Sequence, residues 1–319
     1  MSGPTPNAGA PGHVPVLLEP ILRQLAPVPG ATVADLTAGR GGHAEALARA
    51  VGPSGRVLLM DLDPGNLAFA ADRVRATGVG VVEAVHGSFA VVEFALARLG
   101  WKADAVLADL GFASNQMDDP RRGFSFQGEG PLDMRLDPTR GEPASELLAR
   151  LTERELADAI FRLGEDPFAR RIARAIVDRR GRDQLRTTAD LVAAVRAAYG
   201  PRAHQSRMHP ATRTFMALRI LVNDELGALQ ALLDAVARGA AARGAGWLAT
   251  DARVGIISFH SLEDRLVKHA FAGLEDGGLA ARLSRKPVEA DDAEAAANPR
   301  SRSAKFRAVR MGAETSRDD

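Results

Sequence analysis

The sequence predicts an α/β protein, an open and mostly parallel sheet wound on both faces by helices, with an all-helical domain inserted into it. Three observations predict this. Short apolar runs alternate with helical stretches over the first 110 residues, a pattern that implies parallel strands joined by right-handed crossovers. Three of those runs end in an acid, at Asp35, Asp61 and Asp109. The strand pattern then stops and resumes only near Val254, after a long stretch that reads as loop and helix alone.

In chain order, Thr32–Asp35 reads as the first strand, followed by a glycine-rich turn, Gly39-Arg40-Gly41-Gly42, and an Ala/Leu-rich helix from about His43 to Val51. Arg56–Asp61 is the second strand, Asn66–Arg75 a helix, Val79–Val85 the third strand, Phe94–Leu99 helical, and Ala105–Asp109 the fourth strand. These strands show little alternation, which fits a sheet covered on both faces. Met117–Gly141 is rich in Gly, Pro and Asp and reads as loop. Helices follow from Ala144 to about Arg243. Thr152-Glu153-Arg154-Glu155 is a capping box, Thr187–Asp190 opens a further helix, and Thr214–Ala237 reads as one long amphipathic helix. Val254–Phe259 and Lys305–Val309 complete the strands, and Gly273–Asn298 reads as an acidic surface loop. The expected organisation is a lead-in over 1–12, a discontinuous sheet domain over 13–119 and 221–319, and an inserted helical domain over 120–220.

Composition narrows the function. The 319 residues are 46% hydrophobic and 25% charged, with a net charge of +1, which is a soluble globular profile. No run approaches the length of a membrane helix. The lead-in has neither a basic cluster nor an apolar core, so it does not read as a signal peptide. A cytoplasmic protein with no membrane partner is expected. There is no cysteine, which excludes disulfides, thiolate metal sites and a cysteine nucleophile. Methylation at C5 of a pyrimidine, which generally proceeds through a thiolate adduct, is disfavoured on the same ground.

The acids and glycines carry the chemistry. A glycine turn lets backbone approach a ligand, and the helix after it offers free N–H groups. Asp61, at the end of the second strand, stands where an acid accepts hydrogen bonds from ribose hydroxyls. Gly39, Gly41 and Ala44 also satisfy the dinucleotide fingerprint, so an NAD-dependent oxidoreductase is one reading. Asp35 favours S-adenosylmethionine (SAM) instead, because a carboxylate there attracts the methionine ammonium and repels a pyrophosphate. Phe89, just past the third strand, can pack on an adenine face. Asp109 is expected in the same crevice, where an acceptor aimed at the N–H of an exocyclic amine favours attack by its nitrogen.

The chain resembles the bacterial MraW-like family, which methylates N4 of a decoding-centre cytidine in small-subunit (16S) ribosomal RNA. The resemblance runs over about residues 13–310 and rests on an ordered series: His13–Leu18, Gly39–His43, Arg122–Phe126, Gly130–Arg135, Phe168–Ala173, His209–Phe215, Ile257–Asp264 and Asn298–Ser303. It implies a Rossmann-like class I SAM-dependent methyltransferase sheet. It also implies a SAM site of Gly41, Gly42, His43, Asp61, Phe89, Asp109 and Gln116, to which the residue reading adds Asp35. The inserted domain is implied to help hold RNA, free or in the assembled small subunit. Two stretches depart from the family pattern. Asp35-Leu36-Thr37 stands for Asp-Gly-Thr, and Phe112-Ala113-Ser114-Asn115-Gln116 replaces a Val-Ser-Ser-Pro-Gln stretch. Asn115 thereby gains a carbonyl able to accept from an amine. The departures keep a second alternative in play, a non-catalytic RNA-binding relative.

The expected catalytic set is Asp109, Asn115 and His260. His260, beside the fifth strand, reads equally as a base-positioning group and as a structural histidine. Asn223 and the Asp133–Arg135 pair read as structural. Three basic sets can hold phosphates or be solvated faces: Arg170, Arg171, Arg174, Arg179, Arg180 and Arg182; then Arg202, Arg207, Arg213 and Arg219; then Arg300, Arg302, Lys305 and Arg307. No metal site is expected, and His204 with His209 does not make one. A homodimer is one candidate assembly.

Overall fold

The computed structural model describes residues 15–204 and 208–312. The lead-in over 1–12, His13, Val14 and Arg207 lie outside the described residues. Seven strands form one sheet: β1 (Thr32–Asp35), β2 (Arg56–Asp61), β3 (Val81–His86), β4 (Ala103–Asp109), β5 (Leu248–Ser258), β6 (Ala280–Arg282) and β7 (Lys305–Met311). Their order is β3-β2-β1-β4-β5-β7-β6. The first five run parallel, and β7 is antiparallel to both β5 and β6.

The helices are α1 (Leu18–Leu25), α2 (Gly42–Val51), α3 (Pro64–Arg75), α4 (Val92–Leu99), α5 (Ser114–Asp118), α6 (Ala144–Arg150), α7 (Glu153–Gly164), α8 (Ala169–Gly181), α9 (Thr188–Tyr199), α10 (Ala211–Asn223), α11 (Glu225–Ala241), α12 (Ser261–Asp276) and α13 (Asp292–Ala297). The sheet separates two cores. Leu58, Met60, Val106 and Ile256 pack with α4, α11 and α12 on one face. Val57, Leu59, Leu107 and Phe306 pack with α1, α2 and α3 on the other. Successive residues of β2 thus point to opposite cores, as a period of two requires in a doubly covered sheet.

The chain divides into two compact units, Met1–Gly111 with Leu229–Asp319, and Phe112–Ala228. The second is wider than the insertion expected over 120–220. It holds its own core of Phe124, Leu148, Ile160, Ile172, Leu191 and Leu218. Local rules start its helices as the sequence predicts. Thr152 Oγ1 accepts from the Glu155 amide at 3.2 Å while Glu155 Oε2 accepts from the Thr152 amide at 2.9 Å. Asn223 takes the structural role expected of it. Its Oδ1 accepts from the Leu136 amide, and its Nδ2 donates to the carbonyls of Met134 and Arg219.

Two sequence expectations are corrected. Thr214–Ala237 is not one helix, because Asp224, at φ 47°, ends α10 before α11 begins. Gly273–Asn298 is not a plain loop, because it carries the end of α12, the short edge strand β6 and the single-turn helix α13. Among the described residues no helix is long and apolar enough to cross a membrane.

Gly255 shows how tightly the sheet is filled. A Cβ there would lie 2.5 Å from Phe306 Cε2 and 3.2 Å from Leu25 Cδ2, and Phe306 is wholly buried. Overpacking of this kind destabilises by about 1–3 kcal/mol. Gly255→Ala is therefore expected to lower the urea midpoint accordingly at unchanged m-value. An unaltered midpoint would show that Phe306 has room to move.

Candidate cofactor and active site

The carboxyl ends of β1, β2, β3 and β4 lie along one edge of the parallel sheet, where ligands bind in open α/β folds. The glycine turn leaves β1 at this edge. Gly39 and Gly41 have φ of 49° and 75°, a region that side chains disfavour. A Cβ on Gly41 would sit 3.0 Å from the Ala70 backbone, and one on Gly42 would sit 2.6 Å from Pro15 Cγ. The turn is therefore packed where only glycine fits, and α2 starts directly from it.

Asp61 fixes the turn. Its Oδ2 accepts from the Gly39 amide and its Oδ1 from the Asp63 amide, each at 2.7 Å. Each oxygen keeps a second lone pair for a hydroxyl donor. Burial pushes the carboxyl up to about 6, against the two amides. Asp63 in turn caps α3, its Oδ1 accepting from the amides of Gly65 and Asn66. Phe89 follows β3 in a single 3-10 turn, where Ser88 Oγ accepts from the Ala90 amide. Its ring is half-buried, packed on the core below.

Asp35 is placed deeper than the sequence reading expected. It is only 1% exposed, so it has little surface to offer an ammonium arriving from solvent. Its Oδ1 accepts from the Thr37 amide at 3.1 Å. Burial raises its pKa to about 6, outweighing the nearby His43 and the Thr37 amide. Asp35 thus belongs to the floor of the crevice. Thr37 closes this floor, because its Oγ1 accepts from the Asp109 amide at 2.6 Å.

His43 is buried, with Nε2 2.8 Å from the Val16 carbonyl. A carbonyl only accepts, so the proton sits on Nε2 and the Nδ1 lone pair is bare. Burial holds the ring below its ordinary pKa, so it stays neutral at pH 7. Nδ1 lies 3.6 Å from Asp109 Oδ2, which is too far for a hydrogen bond. A neutral imidazole supplies no countercharge.

Asp109 therefore stands without a cation. Burial pushes its carboxyl up to about 7, with the charge of Glu263 adding to the effect. The side chain keeps 26% of its surface, yet Oδ1 itself is sealed and has no hydrogen-bond partner. A buried acceptor without a partner is costly in isolation, and the exposed part of the same carboxylate is what a ligand bringing a donor can reach.

His260 caps α12. Its Nδ1 faces the Glu263 amide at 3.4 Å, and Glu263 Oε2 accepts from the amides of Phe259 and His260. Nε2 approaches Glu263 Oε1 at 3.2 Å but is misaligned for a hydrogen bond. Asn115 and Gln116 lie on α5, in the second unit. Asn115 is exposed. Gln116 is buried, and its Oε1 accepts from the Ala113 amide at 2.9 Å, closing its own helix start. Thr37, Asp63 and Asn66 were missed by the sequence reading. Asp63 had a readable signal in Asp63-Pro64, a cap followed by proline at the first helical position.

The donor-hungry edge fits SAM, whose ammonium, ribose hydroxyls and adenine amine are donors. The three carboxyl groups there oppose a pyrophosphate. A doubly wound sheet with an antiparallel seventh strand and this edge defines a SAM-dependent methyltransferase of class I. The chain belongs to the MraW methylase family, whose model matches residues 10–312. It is 46% identical over 320 residues to the ribosomal RNA small subunit methyltransferase H of Nitratidesulfovibrio vulgaris (strain Miyazaki F), covering 95% of this chain and 86% of that one. The protein of the same name from Sorangium cellulosum is 46% identical over 308 residues, covering 96% and 93%. A solved SAM dependent methyltransferase from Aquifex aeolicus aligns over 93% of this chain and 89% of its own, with 12% identity and a TM-score of 0.36.

The position of Asp109 has a pH signature. The carboxyl titrates near 3.8 when free and at about 7 in the fold, so between these values the native state holds a proton that the unfolded chain has released. Its contribution to stability is complete below about pH 4 and is lost as the pH rises to about 7. An amide has no such dependence. Asp109→Asn is expected to be stabilising relative to the parent by about 1–3 kcal/mol at pH 8, discounted for partial exposure, with less difference at pH 5. Thermal melts without SAM at both values check this. An equal difference at both pH values would remove the raised pKa.

Proposed function

We propose that the chain transfers a methyl group to the exocyclic N4 of a decoding-centre cytidine, position 1402 of 16S ribosomal RNA, and that the helical unit recognises the RNA. The single observation that carries the amine target is the Asp109 carboxylate at the end of β4, partly exposed and with no hydrogen-bond partner on Oδ1. The relatives' printed name supplies the small-subunit RNA.

SAM bound at this edge supplies a methyl group on a positively charged sulfur. The Gly39–Gly42 turn and Asp61 hold its donors, Phe89 offers a face to its adenine, and His43 walls the site as a neutral group. The target base has to leave its stack to reach the edge. The exposed part of the Asp109 carboxylate would accept from the amine N–H, turning the nitrogen lone pair toward the methyl, and the proton that the nitrogen loses on methylation would pass to this carboxylate, whose pKa is raised to about 7. Positioning supplies the catalysis. With no cysteine in the chain, no thiolate adduct forms. Asn115 is the proposed second acceptor for the amine, Gln116 a proposed cofactor contact, and His260 acts by fixing the start of α12. The oxidoreductase reading loses ground to the three carboxyl groups.

Incubation with methyl-labelled SAM and small subunits from a strain lacking this methylation, followed by digestion to nucleosides, is expected to put label in N4-methylcytidine. Label in another nucleoside would discard the N4 assignment, and none would favour the non-catalytic relative. Asp109→Ala is expected to reduce kcat by about 100- to 1000-fold with the fold retained. Unchanged turnover would take Asp109 out of the mechanism.

A further inference from the structure

Within the helical unit, arginines gather on aromatic rings without acids to match them. Phe168 precedes α8, and its ring packs on Tyr199 at 4.6 Å between centroids. The guanidinium of Arg171 lies 5.8 Å from the centre of the Phe168 ring, and that of Arg202 lies 5.7 Å from it. Both arginines are exposed. Arg196, three residues before Tyr199 on α9, reaches the His209 ring at 3.2 Å. His209 stacks on Phe126 at 4.4 Å and 13°.

Among the described residues no carboxylate pairs with Arg171, Arg196 or Arg202. The nearest buried acid, Asp166, is already used, Oδ1 by the Phe168 amide and Oδ2 by the Tyr199 hydroxyl. Glu165 is exposed, and Arg213 donates to its backbone carbonyl. Two like charges beside one ring repel each other, weakly in water, and a bound anion would relieve that repulsion. The ring contacts bias the guanidinium groups toward this place and reduce the ordering needed on binding. Arginine planes and aromatic rings together are the surface on which unpaired nucleotides are held, with phosphates on the charges and bases on the faces.

We propose that Arg171 and Arg202 over Phe168, with Arg196 on the Phe126–His209 stack, form a contact for a single-stranded RNA segment. The proposal rests on the ribosomal RNA reading and adds to it the place where unpaired RNA is gripped. Each arginine takes one phosphate, so its loss lowers the salt sensitivity of binding as well as the affinity.

The test compares the full chain with Arg171→Gln/Arg202→Gln in binding small-subunit RNA across a salt series. Arg154→Gln is the control, because Arg154 is 92% exposed on α7 and stands outside the cluster. The double variant is expected to lose about 1.4 from the slope of log affinity against log salt, at about 0.7 per phosphate on a single strand. Its KM for RNA should rise about 10-fold or more, while kcat at saturating RNA and SAM affinity stay unchanged. An unaltered slope, or the same loss in Arg154→Gln, would overturn the proposal. Absence of RNA binding by the parent would overturn this contact and the RNA reading together. Binding without N4-methylcytidine would overturn only the target assignment, and the slope would still report on the arginines.

Discussion

Three carboxyl groups, Asp35 buried and Asp61 and Asp109 partly buried, share one edge of a parallel sheet, and among the described residues no lysine or arginine pairs with them. Everything at this edge is arranged around that constraint. Asp61 is held by two amides and Asp35 by one. The ring that could have neutralised Asp109 is kept neutral by its burial, which outweighs the opposing effect of the Val16 carbonyl it donates to. The result is a site short of donors, which a ligand rich in donors completes. Desolvation by burial, which penalises the charged form, is what raises the carboxyl groups of Asp35, Asp61 and Asp109 above the ordinary range.

The backbone makes this arrangement rigid. Thr37 takes its position from Asp35 through its amide and gives position to Asp109 through its hydroxyl. The ends of β1 and β4 are therefore joined by side chains as well as by the sheet ladder. Asp61 does the same between β2 and the glycine turn, and Asp63 continues the chain of contacts into α3. A displacement at any of these acids would be passed to the next through one or two hydrogen bonds.

Much of this was legible in the sequence. The acid-terminated strands, the glycine turn and the two capping boxes are local signals, and their periodicity survives packing. The depth of Asp35 was not legible, because burial depends on what α2 and β4 place around it. The partner of His43 was not legible either, since Val16 lies 27 residues away. The split between α10 and α11 was hidden because apolar spacing continues through Asp224, and only its left-handed backbone ends the helix. β6 has three residues, Ala280-Ala281-Arg282, too few to show alternation, and exists through pairing with β7. The cap formed by His260 carries no sequence signature of its kind, since Ser, Thr, Asp and Asn are the usual caps.

The route of the chain through the sheet has a consequence for its synthesis. The strands β1 to β4 are contiguous in the first 111 residues, but β4 finds its second neighbour only in β5, which follows the whole helical unit. At about 5–20 residues per second, a ribosome needs on the order of ten seconds to bridge that interval. Throughout it, the buried apolar run Ala105-Val106-Leu107-Ala108 is a sheet edge with unpaired backbone groups, the kind of edge on which nascent chains aggregate. The helical unit is made in that interval and carries its own core, so it can fold while the sheet waits.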